Sequence, residues 1–133
     1  MLIATVRVHA QSGDDCSTII DLTALSSPQT YNTCSATGGD IMPAPTCIST
    51  FGSLIFRIDV PDGQNLRIRG GAGSFTLMGA SLREDGACPG TTQLSCVTAA
   101  YNQNFFYANT TGVTQSLYYI IWNRFSFSCG DVT

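Results

Sequence analysis

The stretch that decides the fold reads SLIFRIDV at 53–60, PDG at 61–63 and QNLRIR at 64–69. Apolar and polar residues alternate through its first part, which is the period of a half-buried β-strand. The alternation returns around Leu66 and Ile68. Between the two runs, Pro61 presets φ for a turn, and Gly63 accepts a backbone conformation that other residues resist. The pattern therefore predicts an antiparallel hairpin from Ser53 to Arg69.

Further alternating runs lie on both sides of this hairpin, separated by loops rich in glycine and proline, and no stretch has helical periodicity. The segment at 115–124 contains LYYIIW, has bulky residues on both faces and is the most apolar strand. Short strands at this spacing predict an all-β sandwich. The predicted strands are 1–10, 16–25, 29–33, 53–60, 64–69, 74–83, 94–99, 104–108, 115–124 and 125–129.

The chain has 133 residues, the length of one domain, and six cysteines. No CxxC pair is present and His9 is the only histidine, so a metal site is the weaker interpretation. Widely spaced cysteines in a β-rich chain favour disulfides and an oxidising compartment. We therefore predict an extracellular or cell-surface protein with these cysteines in disulfides: Cys16, Cys34, Cys47, Cys88, Cys96 and Cys129.

The spacing of the cysteines favours one pairing and leaves the others open. Cys88 and Cys96 flank a short segment that Pro89 and Gly90 help to turn, so we expect them to be bonded to each other. The remaining four cysteines allow three pairings. We favour Cys34–Cys47, which would hold the proline-rich loop, together with Cys16–Cys129, which would tie the ends of the domain.

The charge content is low. Only 11% of the residues are charged, the net charge is −3, all six basic residues are arginine, and Glu84 is the only glutamate. A polar surface with little charge suits a subunit that packs against others or carries glycans, and a compositional bias of the source organism explains it equally well. No basic stripe is present for nucleic acid, and no apolar run reaches membrane-spanning length.

The order of features along 14–127 resembles the bacterial pre-peptidase C-terminal domain. These features are DDCS at 14–17, the strand around Phe56, the Asp-Gly turn, the small-residue loop before Ser74, the segment from Cys88 to Cys96 and the aromatic strand LYYI at 117–120. The resemblance implies an antiparallel jelly-roll-like β-sandwich appended to secreted enzymes and surface proteins. It places the domain at 14–133, with 1–13 as an N-terminal strand and tether.

The sequence departs from that family in two places. VTAA at 97–100 stands where the family often has acidic residues that hold calcium, so we expect neither a metal nor a cofactor. The chain also lacks the strand that usually follows the aromatic one, while an extra strand precedes Asp14.

The residues that carry catalysis in hydrolases have no suitable arrangement. His9 lies on the N-terminal strand, and we interpret it as a surface or interface residue rather than a base. Glu84 and Asp85 are adjacent in a turn and point apart, whereas glycoside hydrolysis needs two facing carboxylates. Gly70–Gly73 lies between two strands, without a helix N-terminus that would hold phosphate. We therefore predict a protein that is not an enzyme.

Two features point to glycans. Asn109 begins the sequence NTT at 109–111, which matches a glycosylation sequon in a loop. An aromatic platform that binds sugars is the second possibility, although aromatic residues of a sandwich more often belong to its core. The candidates for that platform are Tyr101, Phe106, Tyr107, Tyr118 and Trp122.

The N-terminal strand completes the functional prediction. Leu2, Ala4, Val6 and Val8 share one face and are available to fill the groove of a sandwich that lacks its last strand. Inserted into its own domain, the strand closes a monomer; inserted into a neighbour, it forms a head-to-tail homopolymer. We predict a structural subunit of an extracellular filament or surface assembly, with a carbohydrate-binding or adhesion module as the alternative.

Overall fold

A computed structural model describes residues 12–23, 29–36, 46–47, 51–69, 78–98, 104–123 and 129–133. Within these ranges the chain forms strands and turns and no helix, so the predicted all-β class is confirmed. None of this described part is a helix long and apolar enough to cross a membrane. Its strands are β1 Ile20–Asp21, β2 Tyr31–Asn32, β3 Phe51–Val60, β4 Asn65–Arg69, β5 Met78–Glu84, β6 Thr92–Val97, β7 Asn104–Ala108, β8 Gln115–Asn123 and β9 Asp131–Val132.

The larger sheet has the strand order β1-β3-β8-β5-β6. Its central strand, β8, pairs antiparallel with β3 on one side and with β5 on the other. The β1–β3 pair is parallel, with Ile20 opposite Phe56, which the antiparallel prediction did not include. Two further antiparallel pairs, β2–β9 and β4–β7, lie outside this sheet.

The predicted hairpin from Ser53 to Arg69 is wrong, although both of its strands form. β3 pairs with β8 and β1, whereas β4 pairs with β7, so the turn after Pro61 carries the chain from one sheet to another. A backbone bond from Gln64 N to Pro61 O closes that turn, at 3.1 Å. This path lets the apolar faces of β3 and β4 oppose each other, whereas a hairpin would place them side by side on one sheet.

The inner core fills the space between the larger sheet and the two smaller pairs. It collects alternate residues of β3, β5 and β8 together with residues of β1, β7 and β9. Phe105 of β7 meets the ring of Tyr119 edge-on, with 5.3 Å between ring centroids. Tyr31 of β2 packs in the same way on Phe56 at 5.1 Å. These contacts make the molecule a two-layered β structure; a jelly-roll connectivity stays a prediction.

The opposite face of the larger sheet carries a second buried group. This outer cluster consists of Ile55, Tyr118, Ile120 and Trp122, with Ile19 and Cys88 packed against it. Both faces of β8 are therefore buried, as its two-sided apolar sequence predicts. Burial of both faces also explains why β8 lies at the centre of the sheet.

All six cysteines are bonded, but the three pairings differ from the predicted ones. The bonds are Cys16–Cys88, Cys34–Cys129 and Cys47–Cys96, with Cα–Cα distances of 5.6, 4.7 and 5.9 Å. The predictions Cys88–Cys96, Cys34–Cys47 and Cys16–Cys129 are therefore wrong. Three disulfides in a domain of this size suit an oxidising compartment.

Strand register explains one of the observed bonds, and the length of β6 excludes one of the predicted ones. Tyr31 lies opposite Val132 in the β2–β9 pair, and continuing that antiparallel register places Cys34 opposite Cys129. Cys96 lies about 13 Å along β6 from Thr92, at roughly 3.3 Å per residue, whereas Cys88 is in the turn before that strand. Cys88 instead packs on the outer cluster, where it meets Cys16.

Hydrogen bonds next to the Cys47–Cys96 disulfide also hold the segment at 46–47 against β6. Thr46 N donates to Gln93 Oε1 at 3.2 Å, and Gln93 Nε2 donates to Thr46 Oγ1 at 2.6 Å. Cys47 follows directly and is bonded to Cys96 of the same strand. Register alone does not predict this contact, because it joins a loop to a strand.

The predicted N-terminal strand at 1–10, with Leu2, Ala4, Val6, Val8 and His9, lies outside the described residues. The predicted strand and tether end at residue 13, but Gly13 itself packs within the folded part of the chain. Gly13 is buried, accepts a hydrogen bond from Ile55 N at 2.8 Å and donates to Thr18 O at 2.5 Å. Its φ of 91° favours glycine, and a side chain there would collide with Ile20. Gly13 is thus an integral part of the folded domain.

Candidate functional site

The β4–β7 pair divides its side chains between the core and the surface. Leu66, Ile68, Phe105 and Tyr107 pack against the inner core. Because side chains alternate along a strand, the residues between them point the other way. We call this outward surface the ribbon face; it consists of Asn65, Arg67, Arg69, Asn104, Phe106 and Ala108, all exposed.

Phe106 is the most exposed large apolar residue of the described chain, at 70% of its full surface. It lies directly opposite Arg67 in the β4–β7 register. The Arg67 guanidinium carbon lies 5.5 Å from the centre of the Phe106 ring, within the range of a cation–π contact. Arg67 Nε and Nη2 also donate to Asn104 Oδ1, at 3.3 and 3.1 Å.

The ribbon face is basic on a chain whose net charge is −3. Its six residues include the guanidiniums of Arg67 and Arg69 and no carboxylate. A planar guanidinium binds carboxylates with two parallel hydrogen bonds, and an exposed aromatic ring supplies apolar area for stacking. The face therefore has the chemistry to contact an acidic or polar partner surface and has no group that would act as a nucleophile.

The predicted aromatic platform does not assemble. Tyr118 and Trp122 are buried in the outer cluster, and Tyr101 lies outside the described residues. Tyr107 faces the core, where burial and a hydrogen bond with Glu84 raise the pKa of its phenol. Phe106 is the one member whose ring the structure exposes among the four that it describes.

Asn109 has a structural role that its sequon does not reveal. The side chain is 1% exposed, and its Nδ2 donates to Val60 O at 2.8 Å and to Val113 O at 2.7 Å. Its Oδ1 accepts from Thr111 N and Thr111 Oγ1. Both amide protons are therefore used inside the fold, and this geometry argues against a glycan on the folded chain.

The acidic turn behaves as the sequence analysis expected. Asp85 has a φ of 65°, and its Oδ2 accepts a hydrogen bond from Thr92 Oγ1 at 2.9 Å. Glu84 instead contacts Tyr107 of the other layer. Across the described ranges, no group of three or more His, Cys, Asp or Glu side chains could hold a metal ion.

No protein-family model, curated protein or solved structure matches the chain. The resemblance to the pre-peptidase C-terminal domain therefore stays a prediction. The ribbon face was missed at the sequence level, because Arg67 and Phe106 are 39 positions apart and the hairpin prediction gave β4 the wrong partner. The alternating NLRIR sequence at 65–69 did contain half of the signal: two arginines on the polar face of one strand.

Proposed function

We propose that the protein is a non-catalytic structural subunit of an extracellular filament or surface assembly, and that the ribbon face is one of its contact surfaces. The observation that carries this proposal is Phe106, a large apolar side chain left 70% exposed beside Arg67. Fully burying a phenylalanine side chain stabilises a contact by about 1.5–3 kcal/mol. Aromatic residues and arginine are also the residue types enriched at the centres of protein interfaces.

The disulfides support an extracellular setting for this subunit. Each bond joins segments that are far apart in sequence, with separations of 72, 95 and 49 residues. Cross-links of this kind persist in oxidising compartments. They stabilise the folded chain chiefly by restricting its unfolded state, which suits a protein that works outside the cell.

Strand exchange is the second part of the proposal. Leu2, Ala4, Val6 and Val8 alternate as a donor strand requires, and a strand given to a neighbour yields a head-to-tail polymer. Deleting residues 1–10 should leave monomers that cannot polymerise. Electron microscopy of the purified protein tests this, and fibres of normal length from the shortened chain would exclude strand exchange while leaving the ribbon face untouched.

The contact role of the ribbon face is tested by replacing Phe106. Phe106→Ser should weaken self-association about tenfold or more, because about 1.4 kcal/mol corresponds to a factor of ten. Val113→Ser is the matched control, since Val113 is also apolar and 59% exposed but lies in the loop before β8. Sedimentation equilibrium measures both variants; equal weakening, or none, would contradict an interface at the ribbon face.

A carbohydrate-binding or adhesion module is the second candidate, and the exposed Phe106 ring favours it as well. A sugar stacked on that ring could receive hydrogen bonds from Arg67 and Asn104. Affinity electrophoresis against a panel of polysaccharides separates the two functions. Retardation of the wild-type chain that Phe106→Ser abolishes, without any change in self-association, would select the carbohydrate-binding function.

A further inference from the structure

Arg83 is a buried charge that no group of the described residues compensates. The whole residue is 1% exposed, and it lies on β5 beside the central strand β8 of the larger sheet. Its Nη1 has no hydrogen-bond partner, and among the described residues its side chain makes one bond, a long one from Nε to Ser81 Oγ at 3.4 Å. Burial lowers the pKa of the guanidinium, and no described acidic side chain counteracts this shift.

The β5–β6 turn covers this arginine. Tyr118, which lies opposite Arg83 in the β5–β8 register, donates from its hydroxyl to Gly86 O at 3.4 Å. A Cβ built on Gly90 would lie 3.0 Å from both Arg83 Cβ and Tyr118 Cδ2, so the turn lies directly over the two side chains. The Cys16–Cys88 disulfide fastens the same turn to the segment that precedes β1.

The buried polar atoms that lack partners differ between the two faces of the sheet. Trp122 Nε1 and Arg83 Nη1 are both donors, and both belong to the outer face. The hydroxyl of Ser81, which accepts from Arg83 Nε, keeps its own proton for a further acceptor. Tyr119 and Asn123, which hold the other two unpartnered atoms, alternate onto the inner face. In the part of the chain that the structure describes, the outer face is thus short of acceptors.

We propose that Arg83 and Ser81 hold a small monatomic anion of the size of chloride beneath the β5–β6 turn. A guanidinium does not lose its proton in proteins, and an isolated buried charge is far more costly than a paired one. An anion supplies both the missing acceptor and the missing charge, whereas a water molecule supplies the acceptor alone. Because Arg83 is only 1% exposed, the enclosed surroundings of its side chain favour a small ion over a larger oxoanion.

The test compares thermal unfolding in sodium gluconate with unfolding after stepwise replacement by sodium chloride at constant ionic strength. A ligand that binds only the folded chain raises its stability with concentration, so each tenfold increase in chloride above the Kd should raise Tm by about 5 °C. Arg83→Met should remove this dependence. Arg57→Met is the matched control, because it removes an arginine whose side chain is 41% exposed and belongs to neither proposed site, and it should retain the wild-type response.

Equal Tm values in gluconate and chloride, or an unchanged response in Arg83→Met, would overturn the proposal. A response to sulfate without one to chloride would contradict the assignment to a monatomic anion. If Arg83→Met does not fold, crystals of the wild-type chain grown in bromide test whether an anion binds at Arg83. An anomalous peak within hydrogen-bond distance of Arg83 Nη1 is expected, and a crystal without that peak would contradict the site.

Discussion

Tyr119 carries a hydroxyl into the inner core, where the oxygen has no hydrogen-bond partner. Burial strongly raises the pKa of this phenol. Because the ring provides the contacts with Phe105 and Phe56, Tyr119→Phe should leave the free energy of unfolding unchanged or raise it by about 1 kcal/mol. Tyr107→Phe is the control: it loses the bond to Glu84 and should lower that free energy by about 1 kcal/mol. Urea denaturation measures both, and a loss above that size in Tyr119→Phe would reveal a partner for the hydroxyl.

Asn109 connects the ends of three strands through one buried amide. Asn109→Ala should lower the free energy of unfolding by about 2–4 kcal/mol, because the carbonyls of Val60 and Val113 lose their donor. Asn65→Ala, at an exposed position of β4, should change it by less than about 0.5 kcal/mol. Mass spectrometry of the intact wild-type protein made in a glycosylating host shows whether Asn109 carries a glycan. A glycan on Asn109 would contradict the structural role assigned to its amide.

At the scale of elements, the turns after β3 and β5 differ in what surrounds them. Gly63 and Gly90 have similar φ values, 73° and 77°, so alanine is strained by about 1–2 kcal/mol at either position. A Cβ at Gly63 meets nothing within 4 Å, whereas one at Gly90 meets Arg83, Glu84 and Tyr118 at 3.0 Å. Gly90→Ala should therefore destabilise the chain by about 1–3 kcal/mol more than Gly63→Ala. Denaturant midpoints compare the two, and equal losses would show that the β5–β6 turn does not press on the sheet.

The β4–β7 pair shows how an element acquires a surface of its own. Since its inner side chains pack on the core, the pair has a fixed orientation, and its polar side must face solvent. The register then places Arg67 opposite Phe106 and Arg69 opposite Asn104. The proposed contact role follows from this alignment of two strands and not from either strand alone.

For the whole molecule, several carboxylates are more acidic in the folded chain than in the unfolded one. The hydrogen bond from Arg57 is the main cause that lowers the pKa of Asp59 from 3.8, and hydrogen bonds with Thr23 and Ser17 lower the pKa values of Asp21 and Asp15. A depressed folded pKa contributes stability above the unfolded pKa, and this contribution is lost as the pH falls through the folded value. Unfolding free energy should thus fall progressively below about pH 4.

Asp59→Asn tests this acid dependence. Arg57 Nη2 lies 2.6 Å from Asp59 Oδ2, with the two side chains 41% and 25% exposed, so solvent screening limits the pair to less than about 1 kcal/mol. The variant should lose that amount at neutral pH and show a shallower decline in acid. Chemical denaturation at a series of pH values gives both quantities. Parallel curves for variant and wild type would exclude Asp59 as a contributor to the acid dependence.

The sequence by itself determined which residues are apolar on one face or on both. That was sufficient for the all-β class, for the bounds of β7 and β8 to within one residue, and for the bulky apolar residues on both faces of β8. Alternation indicates which side of a strand is buried, because it reports the local period of the backbone. It carries no information about the neighbouring strand, since a hairpin and a crossing between layers bury the same side chains of β3 and β4.

The tertiary structure alone decided what depends on neighbours distant in sequence. Register brought Cys34 to Cys129 and Arg67 to Phe106, and the folded β5–β6 turn buried Arg83, although arginine is mostly exposed in proteins. These contacts join residues that are far apart in sequence and that meet only because of the path of the whole chain. Their energies are realised only when the sheets pack, so no local pattern around any one of these residues records its partner.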